Sequence, residues 1–129
     1  MATLSNKKPT TSELEILHVL WERGPSTVRE VHEALHEKRP IGYTSVLKLM
    51  QIMTAKGTVR RNEQQRAHVY EAVQPEEKTK RDLALDVLQR VFDGSASELM
   101  MHALSGQKAS KEEIEQLRQV LNEHERKMR

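Results

Sequence analysis

Four Ser/Thr-x-x-Glu boxes, a β-favouring stretch between residues 58 and 73 and a purely helical pattern after Pro75 predict a mostly α fold with one small two-stranded β element. The boxes are Thr10/Glu13, Thr27/Glu30, Ser95/Glu98 and Ser110/Glu113, and each opens a periodic apolar run. A hydroxyl at such a position accepts from a first-turn amide that has no partner inside the helix, so each box marks a helix start.

The first helix is expected from about Thr11 to Arg23, burying Leu14, Leu17 and Trp21 with Ile16 and Leu20 on the flanks, until Gly24-Pro25 stops it. The second runs from Val28 to about Lys38 on a stripe of Val28, Val31 and Leu35, and Pro40 and Gly42 break the chain behind it. The third begins near Tyr43 and ends at Gly57. Its residues Val46, Leu49, Met50 and Met53 fall at i, i+3, i+4 and i+7, one apolar stripe, while Thr44, Lys48, Gln51 and Ala55 fall opposite. Such a helix can dock one face on a core and offer the other to a DNA groove.

Thr58 to Arg61, a polar tip from Asn62 to Gln65, and Ala67 to Tyr70 then read as a hairpin. Three short helices followed by this hairpin make the winged variant of the helix-turn-helix, in which the second helix crosses the DNA backbone and the third enters the major groove. Behind Pro75 the apolar residues are Leu83, Val87, Leu88, Val91 and Phe92 in one helix, Leu99, Met100, Ala103 and Leu104 in a short second, and Ile114, Leu117 and Leu121 in a third, with Gly94 and Gly106 between them. The expected division is a winged-helix domain at 1–74 and a helical dimerisation domain at 75–129. A segment of that size in three thin helices supports only a marginal core, so its stripes call for a second copy of the chain. Met100, Met101 and Met128 read as adaptable core or dimer contacts.

Length excludes large enzyme architectures, and a formal net charge of +2 says little until its placement is considered. Between Lys38 and Val73 seven basic residues, Lys38, Arg39, Lys48, Lys56, Arg60, Arg61 and Arg66, face only Glu63 and Glu71. The middle of the chain is the electropositive part. Cysteine is absent, which removes disulfides, thiolate metal sites and cysteine nucleophiles together. No segment approaches the roughly 20 apolar residues needed to cross a bilayer, so no membrane insertion is expected and the reading is cytoplasmic.

On the third helix Thr44, Ser45, Lys48 and Gln51 are the candidates for reading bases: Lys suits guanine, Gln suits adenine and a Thr methyl suits thymine. Tyr43 at the helix start and Arg60, Arg61 and Arg66 on the hairpin are the candidates for holding phosphate. With only 3% aromatic residues the chain lacks the stacking rings of a single-strand binder, which favours duplex DNA.

A rival reading comes from His32-Glu33-Ala34-Leu35-His36, which matches the His-Glu-x-x-His pattern of zinc hydrolases on a helix. Catalysis there needs a third ligand and a cleft. Glu63 and His68 are the positional candidates for that ligand and belong to the hairpin, so no metal site and no cofactor are expected. His18, His68, His102 and His124 are scattered. A winged helix used only for protein interaction is the other alternative.

The chain resembles the BlaI/MecI/CopY penicillinase-repressor family of bacterial transcriptional regulators along nearly its whole length. The resemblance rests on Thr10-x-x-Glu13-Leu14-x-x-Leu17-x-x-Leu20-Trp21, Thr27-Val28-Arg29-Glu30-Val31, Tyr43-Thr44-Ser45-Val46 with Lys56-Gly57, Arg66 before Tyr70, and Ser110-x-x-Glu113-Ile114-x-x-Leu117. It implies a homodimeric repressor bound to a dyad operator, paired through its C-terminal helices, and released when a membrane sensor protease leads to cleavage in the tail. The chain departs from the family twice. The Asn-Phe cleavage pair of the penicillinase repressors falls at His102-Ala103, and the tail cysteines of the copper-responsive members are missing.

Overall fold

The computed structural model describes residues 8–64 and 66–129; Gln65, placed by the sequence in the hairpin tip, lies outside the described residues. In order come α1 (Thr11–Arg23), β1 (Ser26–Thr27), α2 (Val28–His36), α3 (Tyr43–Lys56), β2 (Val59–Asn62), β3 (Val69–Ala72), α4 (Glu76–Arg90), α5 (Ala96–Ser105) and α6 (Lys111–Lys127). They form two compact units, the first ending at Asp86 and the second beginning at Val87.

In the first unit α1, α2 and α3 enclose one apolar core with the sheet closing its side. Ile16, Leu17 and Leu20 of α1, Val31 and Leu35 of α2, Val46, Met50 and Met53 of α3, Val59 and Tyr70 are all buried. The α1 face is rotated from the expected one: Ile16 and Leu20 are central, while Leu14 and Trp21 only pack against the margin. Trp21 sits at the rim because its indole N–H needs an acceptor, which it finds in the Gln74 carbonyl at 3.0 Å.

All four boxes supply the hydroxyl half of the cap, with Thr10, Thr27, Ser95 and Ser110 accepting from Glu13, Glu30, Glu98 and Glu113 amides. At Thr27 the reciprocal half forms too, the Thr27 amide donating to Glu30 at 2.9 Å. At the first box the glutamate leaves the cap. Both carboxylate oxygens of the buried Glu13 instead accept from Lys56 Nζ, at 2.9 and 3.1 Å.

The second helix stops at His36, short of Lys38. Pro40 disfavours a helical conformation at Arg39, and the Lys38 and Arg39 amides turn back together onto the Leu35 carbonyl. At the far end of α3 Gly57 adopts φ 86°, the left-handed conformation that lets its amide and that of Thr58 return to the Met53 carbonyl. That reversal starts β2 immediately behind α3.

The hairpin is longer by a strand than its sequence suggests. β1 pairs antiparallel with β3, giving the order β1-β3-β2, with Ser26 opposite Tyr70 and Thr27 opposite Val69. The ladder between β2 and β3 pairs Val59 with Ala72, Arg60 with Glu71, Arg61 with Tyr70 and Asn62 with Val69. Relative to the expected strands both are displaced toward the C-terminus. Burial of Val59 and Tyr70 on the same face fixes the register, because a one-residue slip would turn one of them to solvent.

Two carboxyls of this unit titrate below the usual 4.5: Glu15, lowered chiefly by its hydrogen bond from Arg39, and Glu30, lowered chiefly by the Thr27 amide. A depressed folded-state pKa stabilises above the unfolded value and loses that contribution as pH falls through the folded one. Stability is therefore expected to decline as pH falls below the usual carboxylate range, less steeply in a Glu15→Gln, Glu30→Gln double variant. Urea midpoints collected across that range check this; parallel curves for the two proteins would contradict it.

The second unit contains the end of α4, then α5 and α6. Residues 91–95 separate the first two helices, and the Phe92 and His102 rings lie 5.6 Å apart. Neither α5 nor α6 buries a residue, and Val91, Met100, Leu104, Ile114 and Leu121 are exposed. Among the expected dimer residues Leu83, Val87, Leu88, Phe92, Leu99 and Leu117 are half-buried. Among the described residues no helix is long and apolar enough to cross a membrane.

Candidate nucleic-acid interface

Docking of Val46, Met50 and Met53 into the core leaves the opposite face of α3 in solvent. Thr44, Ser45, Lys48 and Gln51 are exposed along that face, and Tyr43 is exposed at its start. The N-cap is Gly42, which has no side chain to satisfy the first-turn amides, unlike the hydroxyl caps of α1, α2, α5 and α6. Open amides together with the positive end of the helix dipole suit an incoming phosphate.

Three contacts that sequence patterning did not reveal set the position of α3. Glu13 and Lys56 tie its last turn to α1. Glu15 receives two hydrogen bonds from Arg39, at 3.1 and 2.7 Å, tying the turn before α3 to the same helix. His32 Nε2 lies 2.9 Å from the Ile41 carbonyl, to which it donates as N–H, and its ring meets Tyr43 edge-on at 5.8 Å. The only sequence signal for any of them was the pairing of an acid at a capping position with a distant base, which a linear reading cannot assign.

That placement gives the His-Glu-x-x-His pattern a different occupation. His32 joins α2 to the turn before α3, and Glu33 faces Arg29 at 3.5 Å on the solvent side. The two rings are 5.4 Å apart. Among the described residues no group of three or more His, Asp or Glu could hold a metal ion.

On the wing the three arginines are not equivalent. Arg60 Nε contacts Glu71 at 2.6 Å and Arg61 Nη2 contacts Glu63 at 2.5 Å, and the Tyr70 hydroxyl, followed by Glu63, holds Arg61 more firmly protonated still. Arg66 stands in the loop between the strands. Among the described residues neither it nor Lys48 has an acidic partner. Thr44, Ser45, Lys48 and Gln51 thus lie on the solvent side of α3, Tyr43 stands at its start against His32, and Arg60, Arg61 and Arg66 belong to the adjoining hairpin.

A trihelical core with a hairpin wing is a winged-helix fold. Residues 9–123 match the penicillinase repressor family. The chain belongs to that family. Relatives include the transcriptional regulator BlaI of Mycobacterium tuberculosis, 33% identical over 115 residues that cover 88% of this chain and 82% of the relative. The penicillinase repressor of Bacillus licheniformis is 24% identical over 113 residues, 88% of each chain, and the methicillin resistance regulatory protein MecI of Staphylococcus aureus is 20% identical over 113 residues, 88% and 92%.

Proposed function

We propose that this protein is a dimeric transcriptional repressor that grips a dyad operator in double-stranded DNA. Thr44, Ser45, Lys48 and Gln51 read bases in the major groove, while Tyr43, Arg60, Arg61 and Arg66 hold the backbone. The observation that carries the reading is the exposed, cation-bearing face of α3 beside an uncapped N-terminus and a basic wing. Pairing through the C-terminal helices is supported by the apolar residues that α5 and α6 leave uncovered, Met100, Leu104, Ile114 and Leu121 among them. Two such copies place half-sites about one helical turn, roughly 34 Å, apart.

Release follows a signal from a sensor, with a membrane sensor protease as the upstream partner. His102 and Ala103 are exposed but lie within α5, so cleavage between them requires that turn of helix to open first. Wing contact is tested by Arg66→Ala, which is expected to weaken binding to every duplex alike and to flatten the dependence of log K on log salt by roughly 0.9. Titrations at several salt concentrations measure it. An unchanged slope would take the wing away from the backbone.

A further inference from the structure

Adjacent residues of a strand point to opposite faces of the sheet, so Arg60 and Arg61 diverge although the sequence groups them. Arg61 shares its face with the buried Tyr70, its register partner, and is held there by Glu63 as well. Arg60 shares the other face with its own register partner, Glu71. That second pair is open to solvent: the two side chains keep 63% and 42% of their exposure.

A guanidinium presents the same planar fork to a carboxylate and to a phosphate. An exposed carboxylate pair stabilises the fold little, so a phosphate can replace the carboxylate at small cost. We propose that Glu71 competes with DNA phosphate for Arg60, offsetting that one arginine's charge in the free protein and restraining its affinity for DNA of any sequence. Arg66 makes the first backbone contact without such competition, and Arg60 joins once the backbone displaces Glu71. This rests on the reading that the wing meets the DNA backbone.

The test uses the full chain, a labelled duplex of arbitrary sequence and a salt series, with Glu71→Gln, Arg60→Ala and the double variant. Glu71→Gln removes the competing charge but keeps the shape and the strand pairing. It is expected to bind up to about 5-fold tighter at low salt, the most that an exposed ion pair contributes. Its salt slope is expected to stay near that of the parent, because Arg60 reaches the same phosphate in both and only the cost of displacing Glu71 is removed. In the Arg60→Ala background the same change gives no gain. A gain of equal size in that background would show Glu71 acting as bulk negative charge, and no gain in either background would show no competition; both overturn the proposal. Loss of salt-dependent binding in the unaltered protein would instead remove the DNA reading itself, and this inference with it.

Discussion

Lys56→Ala is expected to lower the free energy of unfolding by about 2 to 3 kcal/mol, because it leaves the Glu13 carboxylate buried without a partner. The value is set toward the lower side of what breaking a buried pair costs, since a quarter of the Lys56 side chain reaches solvent. Replacing both residues with apolar ones of similar volume, Glu13→Leu with Lys56→Met, is expected to recover most of the loss, because no charge then remains to be solvated. Urea denaturation of the three proteins measures the difference. A single variant within about 0.5 kcal/mol of the parent would mean that the pair does not anchor α3.

The second large effect concerns recognition. Lys48→Ala combined with Gln51→Ala is expected to reduce discrimination between an operator and unrelated duplex by roughly 2 to 6 kcal/mol, at about 1 to 3 kcal/mol for each lost base contact. Both side chains are exposed and outside the core, so the helical circular dichroism and the unfolding midpoint should hold. Competition titrations against unrelated DNA separate the loss of discrimination from the general weakening caused by one fewer cation. Equal loss on both kinds of duplex would assign Lys48 to phosphate and leave Gln51 without a base.

The helix starts were legible because capping is local chemistry: the hydroxyls of Thr10, Thr27, Ser95 and Ser110 and the amides they satisfy lie within one turn. The stripe of α3 was legible for a similar reason, since Val46, Met50 and Met53 bury at helical spacing. β1 was not, because two residues, Ser26 and Thr27, are too few to show a period. The hairpin register was displaced because the alternation around Arg60 and Arg61 is the same in either frame until tertiary burial of Val59 and Tyr70 decides it.

Thr44, Lys48 and Gln51, proposed to read bases, were also named from sequence, as the side of α3 opposite its stripe. Their supports were not. Glu13 reads as half of a capping box and turns out to hold Lys56, 43 positions away; His32 matches the rival zinc-hydrolase pattern and faces the Ile41 carbonyl. In both cases the side chain had a local use that suited its spacing, and a contact formed only in the folded chain took precedence. Glu63 and Glu71 were counted as the two acids of a basic segment, and only the folded hairpin shows that each sits on an arginine.

The most direct test of the DNA-reading dimer is selection of genomic fragments by the full-length protein, followed by footprinting of the retained sequence. The account predicts one salt-sensitive site with twofold symmetry, its halves about one helical turn apart, protected by the parent protein and lost with the Lys48→Ala, Gln51→Ala variant. Retention of no fragment above background at low salt, or a protected site that the variant holds as tightly as the parent, would contradict it.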